Sequence, residues 1–501
     1  IQPMQNKKIG LINVLFFIIF LLSSCASPAP VASTETATLP VPIETAAALP
    51  TEIPAPTATH TPLPVLARAQ YILDTTIDYD AHTVSVDETI LYPNLTGNQL
   101  NILVMAIVPN LWQDSFSLTS IAIDGTPTTT YSISGQRLDI SLASILPAGS
   151  VIKIDIQYML SLPFAEQEDP SISRPRIYGY TTRQMNLTNW YPFVVPFING
   201  EWILHEPWFY GEHLVYDAAD YEVNLKFTDP TTAPIVAASG LPEQQADSTR
   251  YTIISARTFA IAASREFQVS STQADDIYIS SYYFPFFERP GQGALQATVE
   301  AVQIYSQVFG PYPHKSLAIV MGDFNDGMEY SAFFYLSKGS YDLYDGTYAN
   351  LMTALAVHET AHQWWFEQIG NDQALQPWVD ETLATYSERI YYEKTHPDIL
   401  RLWWWYYRID AYSPQGFIDI SIYEGQGFQP YTSATYRQGA HFLEDLRARI
   451  GDEAFFAFLQ DYLAQGRGRI VTADDFFRIL SQHTGTDYSD LVRQYFQNIY
   501  Q

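Results

Sequence analysis

Cysteine is nearly absent from this chain: Cys25 is the only one in 501 residues. No disulfide can close within it, so packing and hydrogen bonding must hold the fold without a covalent staple. Positive charge is scarce too, with 26 Lys and Arg against 54 Asp and Glu and a formal net charge of −28. Nucleic-acid binding needs a basic footprint, and this composition excludes one. An acidic, soluble surface accounts for the sign, with a bias toward cationic substrates as the weaker reading. The apolar run at 9–22, IGLINVLFFIIFLL, is shorter than the roughly 20 residues a spanning helix needs. No internal repeat is present. Apolar residues, by contrast, are plentiful. The chain is 47% hydrophobic and 16% charged, enough for a large core and too apolar for global disorder. Its length implies about two to four domains.

The N-terminus carries an address. Lys7 and Lys8 precede the apolar run, and small residues follow it, the pattern of a signal peptide over 1–25. The "LSSC" at 22–25 resembles the lipobox of bacterial lipoproteins. That resemblance implies lipidation of Cys25 and an extracytoplasmic protein held in the cell envelope by acyl chains on a bacterial membrane. An ordinary secretory signal with an incidental cysteine is the alternative. Residues 26–65 are rich in Pro, Ala and Thr with almost no large aromatics, which reads as a disordered, extended tether.

From 66 to 273 short alternating segments such as TVSVDETILY and VIKIDIQYML, punctuated by Asn, Gly, Pro and Asp, predict a β-rich domain. The aromatic stretch 189–213 reads as core or a packed loop, with pocket lining as the lesser alternative. From 274 to 501 the period becomes helical. Helix patterns cover 294–310, 348–369 and 378–395, with a strand candidate at 317–322. The expected fold class is therefore α+β and multi-domain, β-rich first and mainly helical second.

Positions 358–362 read H-E-T-A-H. On a helix, residues four apart lie about 40° apart and one turn up, so His358 and His362 offer two imidazoles to one zinc ion. Glu359 lies about 100° round from His358, placed to reach a metal-bound water rather than the metal. Chance produces such a motif roughly 0.02 times in a chain of this composition. Catalytic zinc needs a third protein ligand and an open position. Glu381, eighteen intervening residues on, falls on the next helix pattern, whence its carboxylate can return to the metal.

HETAHQWW followed by WVDETLATYSE resembles the signature of the gluzincin aminopeptidases, the family of aminopeptidase N and leukotriene hydrolase. Asp380 and Thr382 stand where that family has asparagine and glycine. The resemblance implies an N-terminal saddle-like domain and a thermolysin-like zinc-peptidase domain. It also extends to smaller motifs. DGMEY at 326–330 is similar to the motif whose glutamate binds a substrate's free α-ammonium, which gives that role to Glu329. TYRQGA at 435–440 is similar to the motif whose tyrosine stabilises the oxyanion, which gives it to Tyr436. Gln184, in RQMNLTNWYP, is the counterpart of a substrate-contacting glutamine. Only the stretch from Arg437 to Gln501 follows Tyr436, so the sequence reads as a short member without the long C-terminal helical domain of larger relatives.

The expected activity is zinc-dependent peptide hydrolysis at the cell surface, with one Zn²⁺ per chain on His358, His362 and Glu381. An aminopeptidase acting on peptides with a free N-terminus is the first reading. A zinc endopeptidase with an open cleft and a non-catalytic surface binding protein on a peptidase scaffold stay open beside it.

Overall fold

The computed structural model describes residues 66–165 and 177–500. The signal peptide, the tether and Cys25 lie outside the described residues.

The β-rich part is built on an eight-stranded sheet. Its strands run, edge to edge, 241–244, 249–256, 219–227, 69–78, 83–93, 151–161, 116–123 and 126–127. Every neighbouring pair is antiparallel except Ala69–Asp78 beside Ala219–Phe227, which run parallel with Tyr71 opposite Tyr221 and Leu73 opposite Val223. Alternation does what the sequence pattern demands. Leu73 and Ile77, Val84, Val86 and Ile90, and Ile152, Ile154 and Ile156 point inward and are fully or nearly fully buried. Two four-stranded sheets, one through Met185–Leu187 and one through Leu100–Ala106, and a two-stranded hairpin of Phe197–Ile198 and Glu201–Trp202 lie beside it in this half.

A five-stranded sheet then opens the helical half, in the order 268–274, 277–283, 316–321, 333–336 and 328–330. The last of these, Met328–Tyr330, is a short antiparallel edge strand with Glu329 paired to Phe334. The first long helix, Glu288–Val308, starts earlier than the apolar period at 294 announces. Pro290, Gly291 and Gly293 hide its first turn from a sequence reading. A proline in a first turn gives up only an amide that has no intrahelical partner. Gly291 is needed there, because a Cβ would fall 2.2 Å from the Tyr283 ring.

The next helix, Leu351–Ala361, is capped by the Asn350 side chain, which accepts from Thr353 N. It is buried on nearly all sides, as a helix apolar all round must be. The sequence period carries it to 369, but the helix ends at Ala361. Beyond it the backbone bonds alternate between tighter and wider spans, Gln363 N to Thr360 O and Glu367 N to His362 O, so the chain turns without continuing the helix. Helix Trp378–Thr395 keeps its expected bounds and stops before His396-Pro397. The two halves belong to one compact unit. Their cores interlock, since Ala332 and Phe366 of the second half pack into the core of the first.

Candidate active site

His358 sits in the last turn of helix Leu351–Ala361, and His362 is its C-terminal cap with φ −61° and ψ −16°. That near-helical cap keeps the two imidazoles on one face although the helix ends between them. Glu381 comes from the first turn of helix Trp378–Thr395. The two Nε2 atoms are 3.3 Å apart. Glu381 Oε2 lies 3.2 Å from Nε2 of His358 and 3.5 Å from Nε2 of His362. Three donors about 2.0–2.2 Å from a tetrahedral centre have roughly these separations from one another. Two nitrogens and a carboxylate oxygen facing one point in a buried site are a donor set that fits zinc.

The electrostatics follow from that crowding. Burial opposes a charged His358, but hydrogen bonds with Glu381 and Glu388 overrule it and raise its pKa to about 9. Burial also works against charge on Glu381, yet His362 and the hydrogen bonds from both histidines pull its pKa far below the ordinary value. Glu359 is pushed up to about 8, mainly by burial, with the two histidines pulling the other way. Each shift belongs to the bare donor set, and a divalent ion would reset them all.

Glu359, Glu329 and His362 form a second group whose ligand atoms lie within 4.8 Å of one another. Gly327 makes room for this: a Cβ there would stand 2.7 Å from Glu359 Oε1. Tyr436 lies on a wide-turn helical segment, Ser433–Gln438, of the kind that often marks functional positions. Its ring stacks over His358 at 5.9 Å and 13°. Thr382 Oγ1 donates to Thr435 O at 2.6 Å, tying the Glu381 helix to the Tyr436 turn. Gln184 is placed differently from these. It is buried, with Nε2 on Met321 O at 3.3 Å and Oε1 accepting from Asp323 N at 2.6 Å. Both ends of its amide hold the backbone leading to the Glu329 strand.

Several polar side chains around the site were not singled out by sequence reasoning. Glu388 Oε1 is 3.0 Å from His358 Nδ1, and the same carboxylate accepts from Trp404 Nε1, Arg408 Nε and Arg408 Nη2. A carboxylate behind a ligating imidazole fixes its tautomer and orientation. Its spacing was the available signal: Glu388 follows Glu381 by seven residues and so lies on the same helix face. Gln373 Nε2 bridges Glu329 Oε1 at 3.0 Å and Asp380 Oδ2 at 2.9 Å. Asp380, whose carboxyl is raised mainly by burial and then by Glu381, also accepts from Glu381 N at 2.9 Å. No sequence pattern marks Gln373, which comes from the loop between the helices. The aromatic stretch divides in two: Trp190 and Tyr191 are core, whereas Trp208, Phe209 and Glu212 line a cavity beside Glu329.

Comparison with known proteins agrees with this geometry. Residues 293–495 match the model of the Peptidase family M1 domain. Aminopeptidase N of Lactobacillus helveticus is 22% identical over 290 residues, 52% of this chain and 34% of its own. Aminopeptidase M1-D of Oryza sativa subsp. japonica is 23% identical over 217 residues, 40% of this chain and 25% of its own. The chain thus spans about a quarter to a third of the length of these relatives. Among solved structures, the M1 zinc metallopeptidase from Deinococcus radiodurans superposes with a TM-score of 0.63 at 17% identity, covering 86% of this chain and 93% of that one. Legionella pneumophila aminopeptidase A superposes at 0.61 and 15% identity, covering 86% of this chain and 49% of its own. Residues 293–495, which hold the paired histidines and Glu381, thus match the Peptidase family M1 domain, and the chain has the fold of the M1 zinc metallopeptidase structures.

Proposed function

We propose that the protein is a zinc-dependent aminopeptidase that removes the first residue of peptides with a free N-terminus. The convergence of His358, His362 and Glu381, with Glu359 and Glu329 grouped against the same His362, carries this reading. His358, His362 and Glu381 would hold the ion, which when bound supplies Lewis acidity and an acidified water. The remaining steps fall to the chain's own groups. The Glu359 carboxylate accepts a proton and returns it to the leaving amine. The Tyr436 hydroxyl donates to the oxygen on which negative charge develops. The Glu329 carboxylate, steadied by Gln373, binds the α-ammonium and thereby fixes which bond is cut. Glu388 keeps the His358 ring in place. The aminopeptidase names of the curated relatives support the same reading.

The test measures bound zinc and hydrolysis of aminoacyl amides in the wild type and in Glu359→Gln. We expect stoichiometric zinc in both and a loss of about a hundred- to ten-thousand-fold in kcat in the variant. Full activity in Glu359→Gln would sink the mechanism.

A cell-envelope location is part of the proposal, supported by Lys7, Lys8, the apolar run 9–22 and Cys25. Among the described residues no helix is long and apolar enough to cross a membrane. A Cys25→Ser variant should move from the membrane to the soluble fraction; one still membrane-bound would end the lipid-anchor reading.

A further inference from the structure

The two ring nitrogens of His358 face different groups. Nε2 lies with Glu381 and His362, whereas Nδ1 is 3.0 Å from Glu388 Oε1. For Nε2 to offer a lone pair to a metal, the single proton of the neutral ring must sit on Nδ1 and find an acceptor there. Glu388 is that acceptor, and its side chain is fully buried. A carboxylate so placed keeps its position only if its charge is compensated and its oxygens are fully bonded.

Both needs are met by one element, the wide-turn helical segment Leu400–Ile409. Trp404 Nε1 donates to Glu388 Oε2 at 2.9 Å. Arg408 spans both oxygens, with Nε on Oε2 at 3.0 Å and Nη2 on Oε1 at 2.8 Å. Together with His358 these donors use about the whole acceptor capacity of a carboxylate. A guanidinium fork fixes the plane of its partner as well as balancing its charge. Among the described residues no other arginine or lysine bonds to Glu388. Arg437, beside Tyr436 in the chain, has other partners: its Nη1 donates to Thr432 Oγ1 at 3.2 Å, and its guanidinium lies 3.9 Å from the centre of the Tyr412 ring.

The second wide-turn segment, Ser433–Gln438, stacks Tyr436 on the same imidazole. His358 is thus held at its face by one such segment and at its Nδ1 edge, through Glu388, by the other. Resting on the reading of His358, His362 and Glu381 as a zinc site, we propose that Arg408 is a positioning residue of that site: acting through Glu388, it fixes the His358 ring with Nε2 toward the other two donors and so sets how tightly zinc is held.

The experiment measures the Kd for zinc, by competition with a chelator, in the full-length wild type and in Arg408→Gln, Arg408→Lys, Glu388→Gln and the double variant Glu388→Gln/Arg408→Gln. Tyr407→Ala, on the same segment but 53% exposed, is the control and should bind zinc as the wild type does. Arg408→Gln should weaken zinc binding roughly ten- to a hundredfold. Arg408→Lys should fall between the two, because an ammonium restores the charge but not the fork. In the Glu388→Gln background, adding Arg408→Gln should change the Kd by no more than about twofold, since the route through Glu388 is already cut. If Arg408→Gln does not fold, Arg408→Lys carries the test alone, and wild-type affinity in it would overturn the assignment. Wild-type affinity in a folded Arg408→Gln, or an undiminished loss in the Glu388→Gln background, would overturn it as well. A wild type that takes up no zinc would end the metal-site reading and this inference with it, whereas a zinc-binding wild type matched by its Arg408 variants would end this inference alone.

Discussion

Glu88 lies in the middle of strand Thr83–Pro93, 2% exposed among tyrosines of the first core, and neither of its carboxylate oxygens has a hydrogen-bond partner. Burial raises its pKa well above the ordinary value, and the Tyr158 hydroxyl pulls slightly the other way without closing a bond of good geometry. A carboxyl whose folded pKa is raised binds its proton more tightly in the folded state. Its favourable contribution is complete below the unfolded value of about 4.3 and is lost as pH rises through the folded value. Glu88→Leu should therefore stabilise the protein by roughly 1–3 kcal/mol near pH 8, with a smaller gain near pH 5. Thermal melts of both proteins at the two pH values check this; a gain independent of pH would contradict it. Glu88 was invisible in the sequence, since one acidic residue at an inward position of an alternating strand looks like any solvated neighbour. The clustering of the candidate metal donors was legible for the opposite reason. A ligand pair at helical spacing is a geometric constraint written into residue order, whereas Gln373 reaches Glu329 across a loop whose path no local pattern encodes.

Elements were legible where one period dominates. Helix Trp378–Thr395 and the strands of the eight-stranded sheet follow the apolar pattern, because each buries a defined face. Legibility fails where a tertiary contact overrides the period. The helix carrying His358 ends eight residues short of its apolar pattern, because Trp364, Trp365 and Phe366 are buried by packing off the helix. The helix Glu288–Val308 carries Gly291 and Gly293 near its start, where the Tyr283 ring and the Tyr344 side chain leave no room for a Cβ. The arm at 207–214 is the most consequential of these cases. Its aromatic sequence is equally suited to core or pocket, and only the crossing to Ile422 and Gly425 puts it at the wall of the cleft. Gln184 shows the same limit in a single side chain, since its amide is taken up by the backbone between Met321 and Asp323.

Across the molecule, polar groups buried between the halves fix how the cleft is assembled. The Arg257 guanidinium, fully enclosed, donates to Tyr216 O at 2.7 Å, Phe366 O at 3.0 Å and Arg469 O at 2.9 Å, joining residues of both halves. Glu367 meets His314 at 2.5 Å and also accepts from Ser331, so the chain leaving the His362 turn is pinned to the sheet beneath it. Satisfied networks of this kind specify one arrangement, and here it sets the arm and Glu329 on opposite sides of one cavity. On the proposed aminopeptidase reading, a free N-terminus is the feature this cleft would read. Hydrolysis of one peptide in two forms, free and N-acetylated, by the zinc-loaded protein tests this most directly. The account predicts release of the first residue from the free peptide and no cleavage of the acetylated one; cleavage of both at comparable rates would contradict it.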